Sequence, residues 1–267
     1  MKLTETAFLY SILFLTGAVF FLDAIYNLIQ ESSDLPNDKI VEALIVFVTN
    51  LTAVPPLIGI IRKGAYVEGI IGFMSLVTSI FYHVCDSTGI EVWNMNAGNW
   101  HRLDNVFVIL VAQEIAYFLT FALKIEHTAT RSLPLDTPSH SNYQQHFAHE
   151  QRVVVLFRWL GLTFCLVCQE RAPWNVVFTI LPIIITGFLA FLRMKLFVRY
   201  DLRPEFDPRS IKIGLVFAFI AIFFFVLGLD DKHDYLRAKH GVWHAMLGFA
   251  LYFLFNSREI TSKKLID

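Results

Sequence analysis

Charged side chains are scarce in this sequence: Asp, Glu, Lys and Arg together account for 17% of its 267 residues, whereas a soluble domain carries about 25%. The formal net charge is −1, so the chain shows no excess of basic residues and we expect no nucleic acid partner. Apolar residues account for 55% of the chain. A chain with so little charge and so much apolar surface is not expected to be a water-soluble protein.

Cysteine is also rare, and its three residues are Cys85, Cys165 and Cys168. An odd number this small cannot build a disulfide framework. All three lie at the ends of apolar runs, where we interpret them as buried thiols that act as small apolar side chains. The sequence also contains no glycine-rich phosphate-binding loop, which argues against a nucleotide-binding protein. It contains no low-complexity tract, which argues against a disordered one.

The chain contains instead a series of apolar runs about 20 residues long, the length with which a helix crosses the hydrocarbon core of a bilayer. In lipid, an open strand would leave backbone groups without hydrogen-bond partners, so each run is expected to be helical. The sequence therefore predicts an all-α, polytopic membrane bundle. The polar segment 125–151 is expected to be a mobile loop. The eight predicted spans lie near residues 6–29, 40–61, 66–85, 103–124, 152–168, 174–198, 211–229 and 240–256.

Lysine and arginine are unevenly divided between the two sides of the predicted bundle. If the first run crosses the membrane, one side carries 15 of these residues and the other carries 6, with Arg158 inside a span. Because positive residues are enriched on the cytosolic side, we expect a multi-pass protein of the plasma membrane or an endomembrane with a cytosolic C-terminus. The larger group comprises Lys2, Arg62, Lys63, Lys124, Arg131, Arg152, Arg193, Lys195, Arg199, Arg203, Arg209, Lys212, Arg258, Lys263 and Lys264, and the smaller one Lys39, Arg102, Arg171, Lys232, Arg237 and Lys239.

The first apolar run is separated from the others by an acidic loop and lacks polar side chains suited to chemistry. We therefore divide the chain into an N-terminal transmembrane helix with a short outer loop (1–36), a seven-helix domain (37–257) and a short cytosolic tail (258–267). A basic start followed by an apolar stretch also fits a signal peptide that is cleaved off. The length of this run and its lack of a small-residue cleavage site favour an uncleaved helix.

Polar residues concentrate at one depth of the predicted bundle. Ser79 and His83 are four residues apart in the third run and share one helical face. Asp104 opens the fourth run, and the last run begins with His240 and His244, which are again four residues apart. The orientation derived from lysine and arginine brings His83, Asp104 and the two last histidines to a similar depth on the outer side of the bilayer, with Ser79 one turn deeper than His83. Ionisable groups within lipid are costly and usually face a bundle interior with partners.

Three neutral imidazoles and one water form the coordination shell of a catalytic zinc ion. The three histidines therefore indicate a zinc site, in which Asp104 could orient or deprotonate the water and Ser79 could bond a reacting oxygen. Each residue also has an ordinary explanation. A histidine pair can sit at an interface, an aspartate that opens a helix complements its dipole, and a serine often bonds back to a carbonyl of its own helix. Their joint placement favours a site.

The motifs SIFYHVCDSTG (79–89) and HGVWH (240–244), with an aspartate opening the run that follows the first, resemble the CREST superfamily. This superfamily includes alkaline ceramidases and the adiponectin and progestin receptors. Within it, the motifs are most similar to the transmembrane protein 8 and myomaker family, over residues 40–256. The resemblance implies a seven-helix core, to which the first run adds an extra N-terminal transmembrane helix.

By the same resemblance, His83, His240 and His244 would be the zinc ligands, and Ser79 and Asp104 would line the pocket. Tyr82, Cys85 and Asp86 would belong to the motif around the first histidine.

Two classes of function follow from the resemblance. Superfamily members with activity hydrolyse lipid amide or ester bonds, which implies a zinc-dependent hydrolase with a membrane lipid as substrate or ligand. The alternative is a non-enzymatic, myomaker-like fusion or scaffold protein with a structural metal. Ser79 favours the enzyme, because a catalytic pocket would use its hydroxyl group.

The remaining polar residues of the apolar runs and outer loops are interpreted without a functional role. We expect His101 and His233 to be solvated in outer loops. Glu114 is expected to be a packing residue, and Arg158 is expected to extend along its helix so that its charged end reaches the membrane surface.

Overall fold

The computed structural model of the chain describes residues 35–121, 138–198, 204–230 and 233–258, together with residues 12, 15, 19, 22 and 26; for 138–147 it describes the backbone alone. Seven helices, α1 to α7, form in these ranges, and the pairing of extended backbone there is limited to two isolated bridges. The predicted all-α class is therefore confirmed. The helices are α1 (Asn37–Arg62), α2 (Tyr66–Thr88), α3 (Ala97–Thr120), α4 (Pro138–Arg171), α5 (Val176–Phe197), α6 (Pro208–Gly228) and α7 (Ala238–Asn256).

Among the described residues, six helices are long and apolar enough to cross a membrane: α1, α2, α3, the Ala148–Arg171 part of α4, α5 and α6. The chain is thus an integral, multi-pass membrane protein. Helix α7 forms where the last span was predicted, but it lies outside this group of six because Lys239, His240 and His244 make its first half polar. Apart from five helical, exposed residues, the predicted N-terminal span at 6–29 lies outside the described residues.

Helix α3 begins six residues before the predicted start of its span. Its first residue is Ala97, because the side chain of Asn96 accepts a hydrogen bond from the backbone N–H of Asn99 and caps the helix. Asparagine is a preferred residue at this position. The earlier start brings His101 into the helix, three residues before Asp104.

Helix α4 begins at Pro138, so the prediction of a mobile loop over 125–151 is wrong for residues 138–151. The prediction rested on polar composition, but polar residues also form helices, and this segment ends with three glutamines, one alanine and one glutamate within residues 144–151, all of them good helix formers. Proline is also well tolerated at the first helical position. The rest of that predicted loop, up to residue 137, lies outside the described residues.

Helix α2 is the most enclosed of the six spans, and every residue from Leu76 to Cys85 is buried. Its neighbours are α1 and α3, while α7 packs against α6 and α1. The contact between α7 and α1 includes the 3₁₀ turn Leu51–Ala53 in the middle of α1. A Cβ at Gly248 would come within 2.7 Å of the Thr52 carbonyl carbon, so this close approach requires glycine.

Candidate metal site

The three predicted histidines meet between α2 and α7. The Nε2 atom of His83 lies 3.1 Å from that of His240 and 3.0 Å from that of His244. The three candidate ligand atoms all lie within 4.8 Å of one another, and the His83 and His244 side chains are buried. This triad could hold a metal ion.

The nitrogen geometry also fits a shared cation better than hydrogen bonds among the rings. A neutral imidazole donates from one nitrogen only, and His83 directs a single nitrogen at both of its neighbours. A metal ion bound by all three nitrogens would satisfy each lone pair at once, and imidazole is a common ligand for zinc.

The start of α7 is fixed by a buried aspartate. One carboxylate oxygen of Asp234 accepts from the backbone N–H of Lys239 at 2.8 Å, and the other accepts from that of His240 at 3.0 Å. One turn later, the Thr52 hydroxyl of α1 donates to the His244 carbonyl at 3.3 Å. These contacts hold the helical turn from which both α7 histidines face α2.

Ser79 and Asp104, the two predicted pocket residues, lie side by side. The Ser79 hydroxyl adjoins the Asp104 carboxyl group, and both residues are buried. Neither Ser79 Oγ nor Asp104 Oδ1 forms a well-aligned hydrogen bond with another protein group. Buried polar atoms are nearly always paired, so these two are available to a ligand or a water molecule.

A cavity of about 710 Å³ connects these groups. At one end its wall includes Ser79, Asp104 and the two α7 histidines, and at the other it includes Glu68 and Glu114. Fifteen residues of α2 separate Glu68 from His83, which corresponds to about 22 Å along a helix. Between the two polar ends the wall is formed mainly by leucine, isoleucine and valine side chains. The cavity thus has an apolar middle between two polar ends.

The three motif residues next to the first histidine have distinct surroundings. The ring of Tyr82 lies 4.5 Å from that of His83 and 4.8 Å from that of His101. Cys85 is buried with its Sγ atom 3.9 Å from the Met95 carbonyl oxygen. Asp86 instead forms an ion pair across the bundle with Arg237.

The prediction that His101 is a solvated loop residue is wrong. Its ring stacks on Trp174 with a centroid distance of 3.7 Å, and it lies on the wall of the cavity. Its place in the second turn of α3, which begins earlier than predicted, accounts for the difference. His233 is exposed as expected and pairs with Asp230 at 2.7 Å. Neither residue belongs to the histidine triad.

A buried ion cluster went unrecognised in the sequence. Arg158 of α4 contacts Glu68 of α2 at 2.5 Å and Glu114 of α3 at 2.7 Å, so the prediction that Arg158 extends to the membrane surface is wrong. Glu114 packs in the bundle as expected, but as an ion-pair partner. The signal was present in the sequence: three ionisable residues in three apolar runs are expected to pair with one another in lipid.

These observations define the class of the molecule: an α-helical, multi-pass membrane protein with a buried site of three histidines. The chain belongs to a family that is described as "Protein of unknown function (DUF3522)", whose model matches residues 38–133 and 142–245. The matched ranges include all three histidines, Ser79 and Asp104. A comparison with curated proteins gives no match.

Proposed function

We propose that this protein is a zinc-dependent hydrolase of lipid amide or ester bonds, related to the CREST superfamily and oriented with its C-terminus in the cytosol. The observation that carries the proposal is the convergence of three imidazole nitrogens at a cavity whose wall also includes the adjoining Ser79 and Asp104 side chains. Catalytic zinc sites use three protein ligands in this way and leave one position for water or substrate.

His83, His240 and His244 would hold the metal, which supplies Lewis-acid chemistry when bound by polarising an acyl carbonyl and acidifying water. The protein groups then have separate tasks. Asp104 accepts the proton of the attacking water at a carboxylate oxygen and passes it to the leaving amine or alcohol. Ser79 donates its hydroxyl hydrogen to the carbonyl oxygen, where negative charge develops in the transition state.

The cavity supports a lipid as the substrate. Its volume of about 710 Å³ lies within the usual range for small-molecule sites, roughly 300–1,000 Å³. In the described ranges, α5 packs on α3 and α4 while α6 packs on α7, and no extensive contact joins α5 to α6. Ile184 of α5 and Ile222 of α6 line the cavity although they are 60% and 59% exposed. An acyl chain could therefore enter from the bilayer between these two helices.

A second candidate function is a non-enzymatic fusion or scaffold protein of the myomaker type. The observation that favours it is that the histidines come from α2 and α7. A metal bound there would cross-link two helices that are far apart in the sequence, as a structural metal does. The buried Ser79 and Asp104 side chains on the cavity wall favour the enzyme, because a structural metal makes no use of them.

The test is to purify the protein in detergent, measure its zinc content, and assay hydrolysis of bilayer lipids that carry amide-linked or ester-linked acyl chains. The proposal expects about one zinc per chain and release of a free fatty acid that stops when a chelator removes the metal and resumes when zinc is restored. Bound zinc without hydrolysis of any lipid class would favour the scaffold function.

A further inference from the structure

A second link between α2 and α7 lies beside the histidines. The guanidinium group of Arg237, just before α7, donates from Nη2 to Asp86 Oδ2 of α2 at 2.5 Å and from Nε to Glu42 Oε1 of α1 at 3.1 Å. The side chains of Arg237 and Glu42 are each 12% exposed and that of Asp86 is 24% exposed. We call these three residues the ion bridge.

The ion bridge is in register with the histidines. Asp86 follows His83 by three residues on α2. Arg237, the residue just before α7, precedes His240 by three residues. On α2, Asp86 and His83 are neighbours on the helix surface, because they are three residues apart. The Asp86–Arg237 contact and the His83–His240 contact therefore form two adjacent cross-links between the same two segments.

The backbone at the ion bridge is held in an unusual conformation. Leu236 and Arg237 both have a φ of 54°, in the left-handed region that residues with a Cβ seldom adopt. Such conformations persist where the surrounding structure fixes them and cluster at functional sites. Here Asp234 fixes the following turn through the N–H groups of Lys239 and His240, so the direction of the Arg237 side chain and the start of α7 are set together.

We infer that the ion bridge is a positioning device for the histidine site: Asp86 and Arg237 set the register of α7 against α2, and through it the affinity for the metal. This inference rests on the proposed metal site. Asp86 is then neither a metal ligand nor a catalytic residue. It acts on the histidine site through its ion pair with Arg237.

The experiment compares zinc affinity with stability in purified full-length variants. Asp86→Asn and Arg237→Gln each remove one charge of the ion bridge with little change in volume. We expect each to weaken zinc binding about 10- to 100-fold, the usual effect of losing a group that orients metal ligands. The double variant should lose little more than either single variant, because both substitutions break the same contact.

The matched control is Arg193→Gln, which breaks a buried ion pair between Arg193 of α5 and Glu150 of α4, two helices that hold none of the three histidines. Thermal unfolding is measured without zinc for all variants. The control should unfold at a lower temperature than the wild type and keep wild-type zinc affinity. The inference is overturned if the ion bridge variants bind zinc as tightly as the wild type, or if Arg193→Gln weakens binding as much as they do.

The proposed metal site has its own test in the same series. A His240→Ala, His244→Ala double variant that keeps full zinc affinity would overturn the site, and the inference with it. Normal zinc affinity in the Asp86→Asn and Arg237→Gln variants, together with loss of zinc in the histidine variant, would overturn the inference alone.

Discussion

At the scale of single residues, the three histidines form one cluster, because each contributes one nitrogen to the same small volume. Replacing any one of His83, His240 or His244 with alanine is expected to lower the zinc content of the purified protein, since two imidazoles hold zinc more weakly than three. Metal analysis after dialysis measures this directly. His101→Ala and His233→Ala serve as controls and should retain zinc, and full occupancy in the His240→Ala, His244→Ala double variant would contradict the site.

Substitutions of Ser79 and Asp104 test catalysis separately from metal binding, because neither residue is among the three candidate ligands. Ser79→Ala and Asp104→Asn are therefore expected to retain zinc and the folded bundle. Turnover of a hydrolysed lipid should fall by about 100- to 1,000-fold in Ser79→Ala, as for loss of one oxyanion donor. It should fall by up to about 10,000-fold in Asp104→Asn, as for loss of a general base. An Asp104→Asn protein with full turnover would rule out the proposed mechanism.

Residue spacing predicted the histidine triad but not every partner around it. His240 and His244 share a face by their spacing, and the charge distribution placed that face at the depth of His83. Periodicity assigns a residue to a face without saying which helix lies opposite. The pairing of Arg158 with two glutamates, and that of Asp86 with Arg237, depends on which helices are neighbours, so neither could be predicted from spacing.

At the scale of elements, the apolar runs located the helices but not their ends. The run that begins at 103 marks only the membrane-embedded part of α3, which starts at Ala97 with a capping asparagine. The run that begins at 152 likewise misses the polar first turns of α4. A helix can extend into water where hydropathy falls, because capping and helix propensity continue to favour it.

The cluster of Arg158, Glu68 and Glu114 joins three helices, α4, α2 and α3. Arg158→Ala is expected to destabilise the bundle by about 3–5 kcal/mol, because it leaves two buried carboxylates without their partner. Thermal unfolding in detergent measures the loss. Arg152→Ala is the control, since Arg152 is an exposed arginine of the same helix.

Replacing all three members of this cluster shows how much of the lost stability comes from unpaired charges and how much comes from poorer packing. A triple variant with Arg158→Met, Glu68→Leu and Glu114→Leu should recover much of the stability, because it buries neither an unpaired charge nor an unpaired polar group. Equal unfolding temperatures for the wild type and Arg158→Ala would show that the ion pairs contribute nothing.

At the scale of the whole molecule, the order of the helices and their membrane character could be predicted, whereas the cavity could not. The cavity exists because α5 packs on α3 and α4, whereas α6 packs on α7. This arrangement leaves space between α5 and α6, which are consecutive in sequence. Both helices are apolar on all sides, so hydropathy alone does not distinguish the face on the cavity from the face on lipid. The separation of α5 from α6 is a property of the assembled bundle.

The opening between α5 and α6 provides the final prediction. If lipid enters there, Ile222→Trp should reduce turnover of a bilayer-embedded lipid, because Ile222 lies on the cavity wall and is also exposed at its edge. Zinc content should not change, since Ile222 is not part of the triad.

Phe219→Trp is the matched control: Phe219 lies one turn away on α6 and is 70% exposed, but it does not line the cavity. A short-chain, water-soluble analogue of the lipid does not have to enter from the bilayer, so both variants should hydrolyse it at the wild-type rate. Equal loss of turnover in Ile222→Trp and Phe219→Trp would show that substitutions on α6 disturb the bundle in general and that the opening is not the route of entry.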